Sequence, residues 1–163
     1  ILIMSFTISF GLSFVSQMTI PNLSLVFGII VTLLFIGLGI LFDIIGVSVT
    51  SSDEAVFHSM NSRKVKGASI AVKFKKNADK VASFCNDVIG DICGIVSGAA
   101  GTTIAAIVIS TYDFNPLIVT LTVSATIAAL TIGGKAVGKS FAINKSDIIL
   151  YEFAKFVATF YKK

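Results

Sequence analysis

The chain has 163 residues, of which 55% are hydrophobic and 13% charged, and its mean hydropathy is +0.92. Soluble domains carry about 25% charged residues, so this composition excludes an ordinary soluble domain and indicates an all-α integral membrane protein with three to four transmembrane helices. The net charge of +4 is no nucleic-acid signature, because every Lys and Arg falls in 63–80 or from Lys135 onward, the segregation that the positive-inside rule leaves behind.

The first apolar stretch, 1–19, carries no charge and is expected to be a retained transmembrane helix rather than a cleaved leader, since no basic start or small-residue cleavage pattern accompanies it. Ile20-Pro21-Asn22 favours a turn and a helix restart. A second span is expected over 23–49, about 40 Å long at 1.5 Å per residue. Ser51-Ser52-Asp53-Glu54 has the form of a capping box with Ser51 as N-cap. It opens an amphipathic stretch, 54–80, broken at Gly67, that should lie at the inner headgroup surface with its lysines outward.

The third span, 81–110, is the most informative. It contains Asp87 and Asp91 one helical turn apart, and a carboxylate at the bilayer centre costs roughly 2.5–3.5 kcal/mol. With Asp43 inside the second span, these acids require water, a counter-charge or a bound cation. On an α-helical wheel Asp87, Asp91, Gly94 and Gly98 share a face, which directs the acids into the packed interior. Gly90, Gly94 and Gly98, spaced by four, suit close helix packing. Cys85 and Cys93 lie about 12 Å apart along one helix, too far for a disulfide, and read as apolar fillers. A polar turn, 111–115, leads to the fourth span, 116–133. A final amphipathic helix is expected over 145–161, with Lys145, Glu152, Lys155, Lys162 and Lys163 on one stripe. The basic segment 63–80 and the C-terminus are thereby cytoplasmic.

Hard divalent cations take oxygen ligands, and magnesium needs only one or two carboxylates because it keeps several waters. Asp43, Asp87, Asp91, Asn86, Thr50, Ser51 and Ser52 would supply such a set if the second and third spans pack together. The competing arrangement is a buried network in which Lys135, Lys139 or Lys80 neutralises the acids. No nucleophile–base pair or phosphate loop is present, so no enzyme is expected, and His58 belongs to the surface of an interfacial helix.

The order of features from Asn22 onward resembles the transmembrane domain of the CorC/cyclin M family of magnesium transporters. Ser51-Ser52-Asp53-Glu54-Ala55 is similar to the Ser-x-Ser-Glu-x-Ala end of that family's first span, and Asn61-Ser62-Arg63 to the start of its basic loop. Cys85-Asn86-Asp87-Val88-Ile89-Gly90 is similar to its Gly-Asn-Asn-Leu-Val-Asn segment. Gly134 to Lys139 falls where the family has Gly-Glu-x-x-Pro-Lys, with Lys135 replacing the glutamate and Gly138 the proline.

The resemblance implies a CorC-like domain over 22–163, a homodimer in the bacterial plasma membrane, and Ser52, Asp53 and Asn86 at the ion site. With no cytosolic regulatory domain expected in this chain, it also implies a separate cytosolic regulatory partner. Mg²⁺ is the ion implied, with Asp87, Asp91, Asn86, Asp43, Ser52 and Asp53 as ligand candidates and the bilayer as the main partner. Two other functions stay open: a non-transporting scaffold or regulator whose ancestral site is neutralised by Lys135, and a glycine-zipper pore.

Overall fold

The structure is a computed structural model that describes residues 2–19 and 25–160. The expected turn at Ile20-Pro21-Asn22 and the stripe residues Lys162 and Lys163 lie outside the described residues. The described chain is helical, with no strand among its elements. Helix α1 covers Leu2–Thr19, α2 Leu25–Ser51, α3 Glu54–Ser62, α4 Ala68–Lys76 and α5 Ala78–Ser83. A π-helical segment, Phe84–Gly90, joins α5 to α6 (Asp91–Tyr112), and α7 (Pro116–Asn144) and α8 (Ser146–Phe160) complete the chain.

Three helices are long and apolar enough to cross a membrane: Leu25–Ser51, the continuous Ala78–Tyr112, and Pro116–Asn144. They pack against one another as a bundle, and α1 lies along α6, where Leu12 joins Phe35 against Val88, Ile92 and Val96. Their hydropathy is high all round, so side chains cannot tell inside from outside, and small residues decide where helices touch. Gly101 of α6 receives the Ile127 side chain of α7 where a Cβ would stand. Gly134 and Gly138 receive Ile40 and Ile44 of α2 in the same way. This double knob-in-groove contact brings α7 against α2 over two turns, a close approach of the kind small residues permit. Consequently α7 runs to Asn144 rather than ending near 133, and Gly138 continues the helix where the family pattern has proline.

At one end, α3, α4 and α8 gather around Val49, Phe57, Ala71, Val72, Leu150 and Ala154. The sequence suggests Ser51 as the cap of α3, but α2 continues through Ser51. Its last turn is closed by the Ser52 N–H donating to the Ser48 carbonyl at 3.0 Å. Asp53 takes the N-cap instead, with extended backbone, φ −88° and ψ 122°, its carboxylate accepting from the Ala55 N–H at 2.9 Å. Nor do all the lysines point outward. Lys75 turns in and donates to the carbonyls of Val49 and Thr50 at 3.0 and 2.8 Å, satisfying groups that a helix end leaves open. The chain reverses between α3 and α4 through Lys64 (φ 56°) and Gly67 (φ 89°). A side chain at Gly67 would meet the backbone of Lys155 on α8, so the residue is needed for both conformation and contact.

Candidate functional site

The charged interior is built where α2, the π-helical segment and α7 meet. On α2, Gly39, Asp43 and Gly46 follow one another at a turn's spacing and are all buried. Gly39 lets the two backbones approach: a Cβ there would lie 3.2 Å from the Gly90 carbonyl oxygen. Gly46 receives the Asn86 carboxamide. The positions of these glycines therefore set Asn86 beside the Asp43 face of α2. Both contribute a buried oxygen without a hydrogen-bond partner, Asp43 Oδ2 and Asn86 Oδ1. Such orphans are rare enough in folded proteins to need a reason.

Two lysines of α7 approach this region from the same helix face, one turn apart. The Lys135 ammonium donates to Asp91 Oδ1 at 2.9 Å. Its side chain is 18% exposed and that of Asp91 62%. Lys139 Nζ stands 3.9 Å from Asp43 Oδ2, with side-chain exposures of 53% and 5%. That separation is beyond hydrogen-bond range, so Lys139 offsets the Asp43 charge without satisfying its oxygen. Of the three lysines named from the sequence, Lys135 and Lys139 each stand within 4 Å of an acid, but as two separate contacts and with only Asp43 buried.

Asp87 and Asp91 do not point into the packed interior, which corrects the expectation from the helical wheel. The buried side of this stretch is Cys85, Val88, Ile92, Cys93 and Val96, while both acids are exposed. Asp87, Asp91 and Gly98 do share an outward side, all three being exposed, and Gly98 faces open space, so the glycines do not mark the packed face; residues 84–90 wind as a π-helix. The acids line a cleft of about 460 Å³ against Ser5, Ser9 and Ser13 of α1. The four-residue spacing of these serines was visible in the sequence, but only as part of an apolar run. Asp87 Oδ2 accepts from the Ser83 hydroxyl at 2.6 Å. On the other side of α6, Asp91 and Lys135 border a groove of about 520 Å³ with Gly94, Gly98, Ser124 and Thr131. Thr131 Oγ1 is a third buried polar atom without a partner, and no feature of the sequence marked it.

The remaining candidates serve helix ends. The Ser52 hydroxyl donates to the Val49 carbonyl at 3.2 Å, and Asp53 caps α3. Asp53 lies ten residues beyond Asp43, roughly 15 Å along a helix axis. Among the described residues, no group of three or more His, Cys, Asp or Glu side chains is placed to hold a metal ion. A cation at Asp43 and Asn86 would therefore rest on one carboxylate, one amide oxygen and waters. Magnesium accepts a set of this kind, and acceptor oxygens without donors fit a cation chemically. The glycines do not form one zipper: Gly90 packs toward Gly39, Gly94 meets only Thr131 at 3.9 Å, and Gly98 faces open space. Cys85 and Cys93 are free and buried. His58 is exposed and pairs with Glu54 at 3.1 Å.

The fold and the site thus define a helical protein with three membrane-length helices and two lysine-countered acids, Asp43 buried between the helices and Asp91 exposed at their side. Compared with protein-family models, curated proteins and solved structures, the chain matches none.

Proposed function

We propose that this is a membrane-embedded divalent-cation transporter or exchanger of the magnesium type, handling its substrate where α2 meets the π-helical segment. The observation that carries the reading is the pair of buried, donorless oxygens, Asp43 Oδ2 and Asn86 Oδ1. A buried acceptor left unsatisfied costs about 1–3 kcal/mol, more when charged, a cost that a bound cation would offset. Asp43 supplies the charge and Asn86 a neutral oxygen, with water completing the shell. Asn86 is also where the CorC/cyclin M resemblance places an ion ligand, so two independent arguments meet on one residue. The π-helical segment adds weight, because such segments are frequent at functional sites.

The test is Mg²⁺ entry into proteoliposomes containing an entrapped indicator. Asp43→Asn should abolish flux, and Asp113→Asn, in the turn between α6 and α7, should leave it unchanged. Flux equal to that of empty liposomes, or full flux in Asp43→Asn, overturns the proposal.

The second reading, a non-transporting scaffold or regulator, is favoured by the 2.9 Å contact between Lys135 and Asp91. Here an ammonium already stands at an acid of the third span. Under this reading flux is absent, and loss of folded Asp91→Ala protein is rescued by adding Lys135→Ala.

A further inference from the structure

The two lysines of α7 are not equivalent. Lys135 is mostly screened from solvent and makes a short, direct contact with Asp91, so its charge is bound into the fold. Lys139 is half exposed and stops 3.9 Å short of a carboxylate that is itself buried. Its ammonium makes no hydrogen bond to Asp43, and no part of the protein encloses its half-exposed side chain. Lys139 is thus the cation beside Asp43 Oδ2, and one turn further along α2 the Asn86 carboxamide of the π-helical segment lies against Gly46.

We infer that Lys139 is a tethered competitor that sets the affinity of the Asp43–Asn86 site for divalent cations, whereas Lys135 is a structural strut. The inference rests on the cation-site reading given above. A positive charge within 4 Å of the ligand oxygen repels an arriving dication strongly in the low-dielectric interior. The ammonium must therefore withdraw before Mg²⁺ can use that oxygen. In the absence of Mg²⁺, Lys139 offsets the Asp43 charge and keeps the empty site from carrying an uncompensated carboxylate. Lys139 weakens binding and protects the unloaded protein by the same contact. Lys135 has no such exchange to make, because Asp91 Oδ1 is already satisfied by it at 2.9 Å.

The experiment is thermal unfolding of the full chain in detergent, titrated with MgCl₂ at fixed ionic strength against a choline chloride control. The wild type should show Mg²⁺-specific stabilisation. In Lys139→Met the unfolding temperature without Mg²⁺ should fall, Mg²⁺ should restore it, and the titration midpoint should move to about ten-fold lower concentration or less. Lys139→Arg should keep the wild-type midpoint, and Lys139→Gln serves in place of Lys139→Met if that variant does not fold. Lys135→Met should lose stability that Mg²⁺ does not restore, with its midpoint within about two-fold of wild type. An unchanged midpoint in Lys139→Met and Lys139→Gln, with wild-type stabilisation intact, overturns the competitor role and leaves the transporter reading standing. Absence of any Mg²⁺-specific stabilisation in wild type and variants overturns both.

Discussion

The Asp147 carboxylate accepts a hydrogen bond from the backbone N–H of Asp53 at 2.9 Å, tying the first turn of α8 to the junction between α2 and α3. The contact spans 94 residues of sequence and fixes the last helix to the end of the bundle. Asp147 also stands in the first turn of its own helix, where negative charge is favoured by the helix dipole. Asp147→Ala should lower stability by about 1–2 kcal/mol. It should also expose the α7–α8 junction to trypsin at Lys145, read as faster limited proteolysis. Unchanged proteolysis would refute the tether.

The Lys135–Asp91 pair predicts an asymmetry. Removing Lys135 leaves a carboxylate that is already mostly exposed, a loss of about 1 kcal/mol. Removing Asp91 strands a screened ammonium, a loss of about 3 kcal/mol. The double variant should regain part of the Asp91→Ala loss. Thermal melts of the three variants check this, and simple additivity of the two losses would show the pair to be uncoupled.

Two glycines on neighbouring helices should respond in opposite ways. A methyl group at Gly46 would occupy the position of the Asn86 carboxamide, so Gly46→Ala should cost about 1–3 kcal/mol and reduce any Mg²⁺ flux by displacing Asn86. Gly98 has no neighbour within 4 Å of an added Cβ, and Gly98→Ala should be neutral or slightly stabilising, by up to about 1 kcal/mol. Unfolding temperatures in the same detergent compare the two directly. A large loss at Gly98 instead would point to a neighbour outside this chain.

Lys75 predicts a further effect at the end of α2. Lys75→Met removes two charge-assisted hydrogen bonds to the Val49 and Thr50 carbonyls. It should lower stability by about 2 kcal/mol, with hydrogen exchange accelerating first in the last turn of α2. Exchange that rises uniformly along the chain would count against a local capping role.

The membrane-length helices were legible in the sequence because long apolar runs and segregated charge need no tertiary information. The ends were less legible. Ser51 looked like a cap because the local pattern of Ser51 to Glu54 cannot reveal that α2 overruns it, and α7 passes 133 because Ile40 and Ile44 fill the space at Gly134 and Gly138. The acids of the third span fall on the outward side because the glycine face they share is not the packed one: Gly98 is exposed and Gly94 meets only Thr131 at 3.9 Å. Asp43 is legible as an acid within an apolar helix, and the structure buries it; that Asn86 packs against Gly46 of α2 has no local sequence signal. That Lys139 rather than Lys135 faces Asp43 depends on how α7 is rotated against α2, which no local signal encodes.

The inward turn of Lys75 changes what the basic segment presents outward. Residues 63–80 carry seven cations, yet the ammonium of one of them is engaged by the protein's own carbonyl groups. A water-soluble acylating reagent should modify the five exposed lysines, Lys64, Lys66, Lys73, Lys76 and Lys80, well before Lys75. The two carbonyls are neutral, so Lys75 keeps its charge, but its N–H donors are committed to the end of α2.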